Sequence, residues 1–313
     1  MQSVLILLST YNGAKYLREQ LDSLYNQKGI IVNILVRDDG SKDDTVDILK
    51  EYQTKYGAMS IYAEDNIGCK RSFYKLIQLA STMERSFDYY AFCDQDDVWD
   101  DDKLVSAVDI LDKSNNEYKL YYGDARCVDN DMNLVRRRPI RTKCTLTSTV
   151  ISSHALGCTQ VFNKNVLLKA NLINTLILPY TSPIEYIPQH DTWTLISALC
   201  FNGFVYHDPK LHINYRQHPN NVVGGGFDNK FALFKSRLYR HLSNPNTRSR
   251  LALYVLTVYG KFLSDQAYRM VNLLADYRDN IKNRFLLMFS RTIKTGNMSI
   301  DLPMKIMVLI GRF

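Results

Sequence analysis

Nowhere in these 313 residues does an apolar run approach the roughly 18 residues that a membrane-spanning helix needs, so an integral helical membrane protein is excluded. Low-complexity tracts and internal repeats are also missing, which excludes disordered and solenoid architectures. The six cysteines (Cys69, Cys93, Cys127, Cys144, Cys158 and Cys200) form no CxxC pair. That scatter argues against a zinc site or a disulfide framework, and for free thiols in the cytoplasm. Neither a GxxxxGK[ST] loop nor a GxGxxG after a strand is present, which weakens NTPase and dinucleotide-enzyme readings. A basic leader and a cleavage site are missing before Val4-Leu5-Ile6-Leu7-Leu8, so this run reads as a buried first strand rather than a signal peptide.

What is present is unevenly charged. The net charge is +7, but residues 228–313 carry 15 Lys/Arg against 5 Asp/Glu, a net of +10, which leaves the remainder at −3. No nucleic-acid motif accompanies the basic part, so nucleic acid is not an expected partner. An acidic part, 1–226, and a helical basic part, 227–313, are expected, with the boundary at Gly224-Gly225-Gly226.

The first part alternates strand and helix patterns. Strands are expected at Val4–Ser9, Ile30–Val36, Ser60–Ala63 and Tyr89–Cys93, with helices over Lys15–Asn26, after Ser41-Lys42-Asp43-Asp44, and over Arg71–Leu79. Further strands are expected at Leu120–Cys127, Cys158–Phe162, Phe204–Tyr206 and Leu211–Tyr215. Repeated β-α-β units imply an α/β fold with helices on both faces of a sheet, and ligands beyond the strands' carboxyl ends. Three such ends carry polar clusters: Thr10-Tyr11-Asn12, Asp38-Asp39-Gly40-Ser41 and Asp94-Gln95-Asp96-Asp97.

Asp94 and Asp96, two apart in an extended loop, can turn their carboxylates the same way, and such a pair beside a phosphate ligand suits Mg²⁺ or Mn²⁺. A carboxylate at Asp38 can accept the imide N–H of a pyrimidine base, while Ser41 could instead cap a helix. Trp99 and Trp193 are open to two readings, sugar stacking or core packing.

Together, Leu8-Ser9-Thr10-Tyr11-Asn12-Gly13, Arg37-Asp38-Asp39-Gly40-Ser41, Asn66-Ile67-Gly68, Asp94-Gln95-Asp96-Asp97-Val98-Trp99, Gly157-Cys158, His190-Asp191-Thr192-Trp193 and Tyr215-Arg216-Gln217-His218-Pro219 resemble glycosyltransferase family 2 in order and spacing. The later motifs are most similar to the rhamnosyltransferase-like branch that assembles bacterial surface polysaccharides. The resemblance implies a GT-A fold, a Rossmann-like mixed sheet flanked by helices, and inverting transfer from a nucleoside-diphosphate sugar. It implies that Thr10, Tyr11 and Asp38 contact the base and that Asp39 and Asp94 lie on the ribose side. It further places Arg71 near the diphosphate, Asp96 and His218 on the metal, and Asp191 as the base.

Arg216 could stabilise the charge on the departing diphosphate. His190 could cap its helix or contact the acceptor, and the field of a helix N-terminus is expected to depress the pKa of Asp191. The favoured donor is dTDP-rhamnose, with UDP-glucose or UDP-galactose as the alternative and a non-catalytic nucleotide-sugar-binding subunit as a further one. A lipid-linked saccharide is the expected acceptor. Phe285-Leu286-Met288-Phe289, between Arg284 and Arg291, leads to the expectation of peripheral attachment to the inner face of the cell membrane.

Overall fold

A computed structural model describes residues 1–140, 144–152, 155–180, 187–217, 247–278, 280–290 and 298–312. His218 and the expected boundary at Gly224-Gly225-Gly226 lie outside them.

Strands β1 (Ser3–Thr10), β2 (Ile31–Asp38), β3 (Met59–Ala63) and β4 (Tyr89–Cys93) form the parallel half of one sheet, connected by α1 (Ala14–Tyr25), α2 (Thr45–Tyr56) and α3 (Cys69–Thr82). The other half is mixed. It comprises β5 (Val98–Trp99), β6 (Lys119–Val128), β7 (Leu134–Arg138), β8 (Val161–Asn163) and β9 (Phe204–Arg216). The sheet runs β3-β2-β1-β4-β8-β6-β9-β5, with β7 pairing β6 as an added edge. In between lie α4 (Lys103–Asp112), α5 (Leu146–Ile151), α6 (Lys164–Leu176) and α7 (His190–Cys200).

Alternation along β1 divides the core. Val4, Ile6 and Leu8 face Leu17, Leu21 and Leu24 of α1 and Leu104 of α4, whereas Leu5 and Leu7 face Phe73 and Ile77 of α3 and residues of α6 and α7. Both faces are therefore covered, as a parallel sheet requires.

Two expected strands prove to be one. Phe204–Tyr206 and Leu211–Tyr215 are continuous in β9, which crosses Pro209 by shifting its register against β6 after Gly123. Cys158 lies instead in a 3₁₀ turn (Gly157–Thr159), and β8 begins only at Val161. Ser41 does not cap α2: its hydroxyl turns back to Asp38, and Asp43 accepts from the Thr45 backbone N–H.

The basic region contributes α8 (Thr247–Tyr259), α9 (Asp265–Asp276), α10 (Ile281–Phe289) and α11 (Met298–Leu309). Their buried residues, among them Leu251, Val255, Tyr259, Leu274 and Met307, join the same cluster as Trp193 and Leu195 of α7. The Tyr259 hydroxyl lies 2.7 Å from Ser197 Oγ and donates to the Lys169 carbonyl at 2.8 Å.

Candidate active site

The carboxyl ends of β1, β2 and β4 are laced together by side chains that the local sequence supplies. Thr10 Oγ1 and Ser41 Oγ both donate to Asp38 Oδ2, at 2.8 and 2.5 Å, and Ser41 N donates to Oδ1. Gln95 accepts from Tyr11 N at 2.7 Å and donates to Tyr11 O at 3.1 Å, leaving the Tyr11 ring exposed. A Cβ on Gly13 would meet Gln95 Oε1 at 2.3 Å, so this approach needs glycine.

Asp39 is buried and clamps the next loop. Its carboxylate takes Arg37 Nη1 at 2.5 Å and the backbone N–H groups of Ile67 and Gly68 at 2.8 and 2.9 Å. Gly68, at φ 84°, then opens α3, which carries half-buried Arg71 in its first turn. A non-glycine residue would be strained at that φ. Helix α3 in turn fixes the start of α7: Lys70 Nζ donates to Ile187 O at 2.8 Å and Tyr74 Oη to Pro188 O at 3.2 Å.

This lacing gathers the carboxylates. Desolvation of its sulfur, and then the charges of Asp94, Asp39, Asp191 and Asp96, push the Cys69 thiol up to about 12. The charges of four acids from three separate motifs thus act on one side chain. Cys69 was not a sequence candidate; its position directly after Gly68 was the available signal. Asp94 is pushed up to about 7, first by burial and then by Asp96 and Asp191.

Asp191 sits in the first turn of α7, with Thr192 N and Oγ1 donating to its Oδ1. The expected depression by the helix N-terminus is overturned: burial dominates and raises its pKa, against Thr192, Arg138 and the Gly157 N–H. That makes it a stronger base than the sequence reading allowed. His190 is stacked on Phe73 at 3.7 Å and edge-on to Phe92, and burial pulls its pKa down to about 3. Gly157 gives this pair room, since a Cβ there would meet His190 Nε2 at 2.9 Å and Asp191 Cβ at 3.3 Å.

Four sequence candidates turn out to be packed away. Arg216 is only 1% exposed; its Nε donates to Asp96 O at 2.9 Å, Nη1 to Asn130 O at 2.7 Å and Nη2 to Glu19 at 2.5 Å. All three nitrogens are committed, so it is a strut under the acidic run rather than a cation offered to a diphosphate. Trp193 is wholly buried, donates to Ala170 O and stacks on Tyr259. Trp99 lies inside beneath the Lys103 ammonium, 3.4 Å from its ring centroid. Neither indole is available to a sugar, and His190 is buried among aromatic rings.

Asp94, Asp97 and Cys158 bring ligand atoms within 4.8 Å of one another. Cys158 is a poor partner for a hard cation, because burial and both carboxylates raise its pKa well above the usual thiol range and keep it protonated. Asp97 is fully buried and accepts from Arg216 N, facing inward toward Lys103. Asp94 is the half-buried oxygen donor of that group, and the half-buried Asp96 carboxylate two residues on offers the same hard-oxygen chemistry, which suits Mg²⁺ or Mn²⁺.

Residues 5–168 match the family model described as Glycosyl transferase family 2. The dTDP-rhamnosyl transferase RfbG of Shigella flexneri is 31% identical over 246 residues, covering 74% of this chain and 81% of that protein. Chondroitin synthase of Escherichia coli is 26% identical over 229 residues, 69% of this chain but 31% of that protein. Among solved structures, S. aureus TarS 1-349 in complex with UDP-GlcNAc superposes with a TM-score of 0.57 at 17% identity, covering 93% of this chain and 74% of that one.

Proposed function

The chain belongs to glycosyltransferase family 2 and has the GT-A fold, and from that premise we propose that it transfers rhamnose from dTDP-rhamnose, with inversion, to a hydroxyl of a lipid-linked saccharide. The observation that supports this reading is that the Gly157-Cys158 turn meets both the acidic run and Asp191: Cys158 Sγ lies within 4.8 Å of carboxylate oxygens of Asp94 and Asp97, and a Cβ on Gly157 would sit 3.3 Å from Asp191 Cβ. Inverting transfer needs a charge-offsetting group at the leaving diphosphate, such as a metal ion, and, across the sugar from it, a base for the acceptor hydroxyl. The rhamnose assignment draws its support from the similarity to the Shigella flexneri protein.

In this reading Asp191 takes the acceptor proton, held in one orientation by Thr192. Thr10, Tyr11 and Asp38 receive the base, Asp39 and Asp94 bound the ribose side, and Arg71 reaches toward the diphosphate. Asp96 and Asp94 would hold Mg²⁺ or Mn²⁺, with His218 as a further ligand; when bound, such an ion offsets the negative charge on the leaving diphosphate. The division of the chain at 226/227 and attachment of the basic region to the inner face of the cell membrane complete the proposal, and they place the enzyme in the cytoplasm, where nucleotide sugars are made.

The test is a donor panel with Mg²⁺ or Mn²⁺ against a lipid-linked acceptor. Turnover with dTDP-rhamnose is expected, and turnover with UDP-glucose or UDP-galactose alone would overturn the rhamnose assignment. Asp191→Asn should lower kcat by about 10²–10⁴ with little change in donor KM. If both Asp191→Asn and Asp96→Ala retained full turnover, the proposed chemistry would be wrong.

A further inference from the structure

We propose that Arg136 and Arg138, on edge strand β7, bind a phosphate group of a lipid acceptor next to Asp191. The proposal rests on the reading of Asp191 as the base, since an acceptor hydroxyl in contact with that carboxylate brings the rest of the acceptor alongside it.

Four observations converge. The Arg138 guanidinium lies 6.0 Å from the centroid of the Tyr215 ring, next in sequence to the Arg216 N–H that holds Asp97 of the acidic run, and its charge favours the ionised form of Asp191. Arg136 and Arg137 are exposed and, among the described residues, have no carboxylate within ion-pair distance. Pairing of Arg138 with Ala125, Arg137 with Arg126 and Arg136 with Cys127 is regular, so Arg136 and Arg138 share a face and Arg137 takes the other. Two guanidinium forks on one face each offer paired N–H donors that a phosphate group can accept.

The hairpin is also held rigidly. Asp129 accepts from Asp131 N, Asn133 N and Asn133 Nδ2, which closes its turn. Asn130 is gripped from outside, its side chain accepting from Tyr16 Oη at 2.7 Å and its carbonyl from Arg216. The arginine strand is thereby pinned to the strut beneath the acidic run.

Apolar surface fixes the class of ligand. Leu134 and Val135, 56% and 59% exposed, directly precede the three arginines. An anionic head followed by a hydrocarbon chain matches that sequence of surfaces, as in an isoprenoid diphosphate. Charges on an edge strand also discourage edge-to-edge pairing. That role does not require an arginine beside Asp191 or apolar side chains at the strand's start.

The experiment measures binding of geranyl diphosphate by calorimetry, with saturating dTDP and Mg²⁺ so that the donor side is filled. Wild type and R137Q should bind it alike, and R136Q/R138Q should bind it at least tenfold more weakly with unchanged Tm and dTDP affinity. Unchanged binding in the double variant, or no binding to wild type, would overturn the proposal. So would an equal loss of dTDP affinity, which would assign the arginines to the donor. Equal wild-type affinity for inorganic pyrophosphate would overturn the lipid assignment. Asp191→Asn should keep geranyl diphosphate binding while losing transfer; if it kept transfer, the reading of Asp191 would fail separately from the binding result.

Discussion

Arg216 holds the Asp96 carbonyl, the Asn130 carbonyl, Glu19 and, through its backbone N–H, Asp97, while its guanidinium also lies 4.4 Å from the Tyr16 ring centroid. Replacing it with methionine keeps the bulk but strands two part-buried carbonyls, each loss costing about 1–2 kcal/mol. Arg216→Met should therefore lower unfolding stability by about 2–4 kcal/mol in denaturant titration and raise the metal concentration needed for half-maximal turnover. Lysine should not rescue it, because one ammonium cannot reach acceptors spread around a planar fork. Glu19→Gln should be mild, since Glu19 is half exposed. A second prediction concerns His190. Burial depresses its folded pKa to about 3 from an ordinary value of 6.5, so the unfolded chain binds a proton that the native state refuses. The stability this neutral ring contributes is complete above pH 6.5 and is lost as pH falls from there toward 3, at up to about 1.4 kcal/mol per unit. His190→Gln should flatten that limb in a series of thermal melts between pH 6.5 and 4, and an unchanged slope would contradict the buried neutral state.

At the scale of elements, the parallel half of the fold was legible because each strand there is an uninterrupted apolar run followed by a polar cluster, as at Tyr89–Cys93 before Asp94. The mixed half was less so. Val98–Trp99 is a two-residue strand whose only support is its pairing with Ile213 and Asn214, which no local pattern announces. Asp208-Pro209-Lys210 reads as a break between two strands, yet the register shift against β6 absorbs it. Likewise the acids at the site could be named from their motifs, but the fate of Arg216 could not, because its partners come from α1 and from the β6–β7 turn. Glycines join the elements. Gly157→Ala would press a methyl group on Asp191 and on His190, whose ring is already stacked on Phe73 of α3. A kcat loss of at least tenfold is expected with donor affinity retained, measured by steady-state kinetics and nucleotide titration. Gly68→Ala, at φ 84°, should instead cost about 1–2 kcal/mol of stability and weaken nucleotide binding, since it disturbs the loop that Asp39 clamps.

For the molecule as a whole, the basic region is both core and surface. Because Tyr259, Leu274 and Met307 share a cluster with Trp193, cutting the chain after 226 should leave an insoluble or unfolded remainder, so deletion is the wrong test of membrane attachment. The described residues contain no helix long and apolar enough to cross a membrane, but α10 exposes Ile281 (70%), Phe285 (47%), Leu286 (52%) and Phe289 (75%) beside the exposed Lys282. Such a face can lie in a bilayer interface, with apolar rings below the headgroups and cations among anionic ones. Phe285→Ser/Phe289→Ser leaves the core residue Leu287 in place, so the fold should survive with an unchanged melting temperature. Wild type should float with phosphatidylglycerol vesicles and not with phosphatidylcholine, and raised salt should release part of it, because screening weakens the ionic share only. The double variant should stay at the bottom of the gradient while retaining turnover on a water-soluble acceptor. Flotation equal to wild type would assign the exposed rings of α10 to some contact other than lipid.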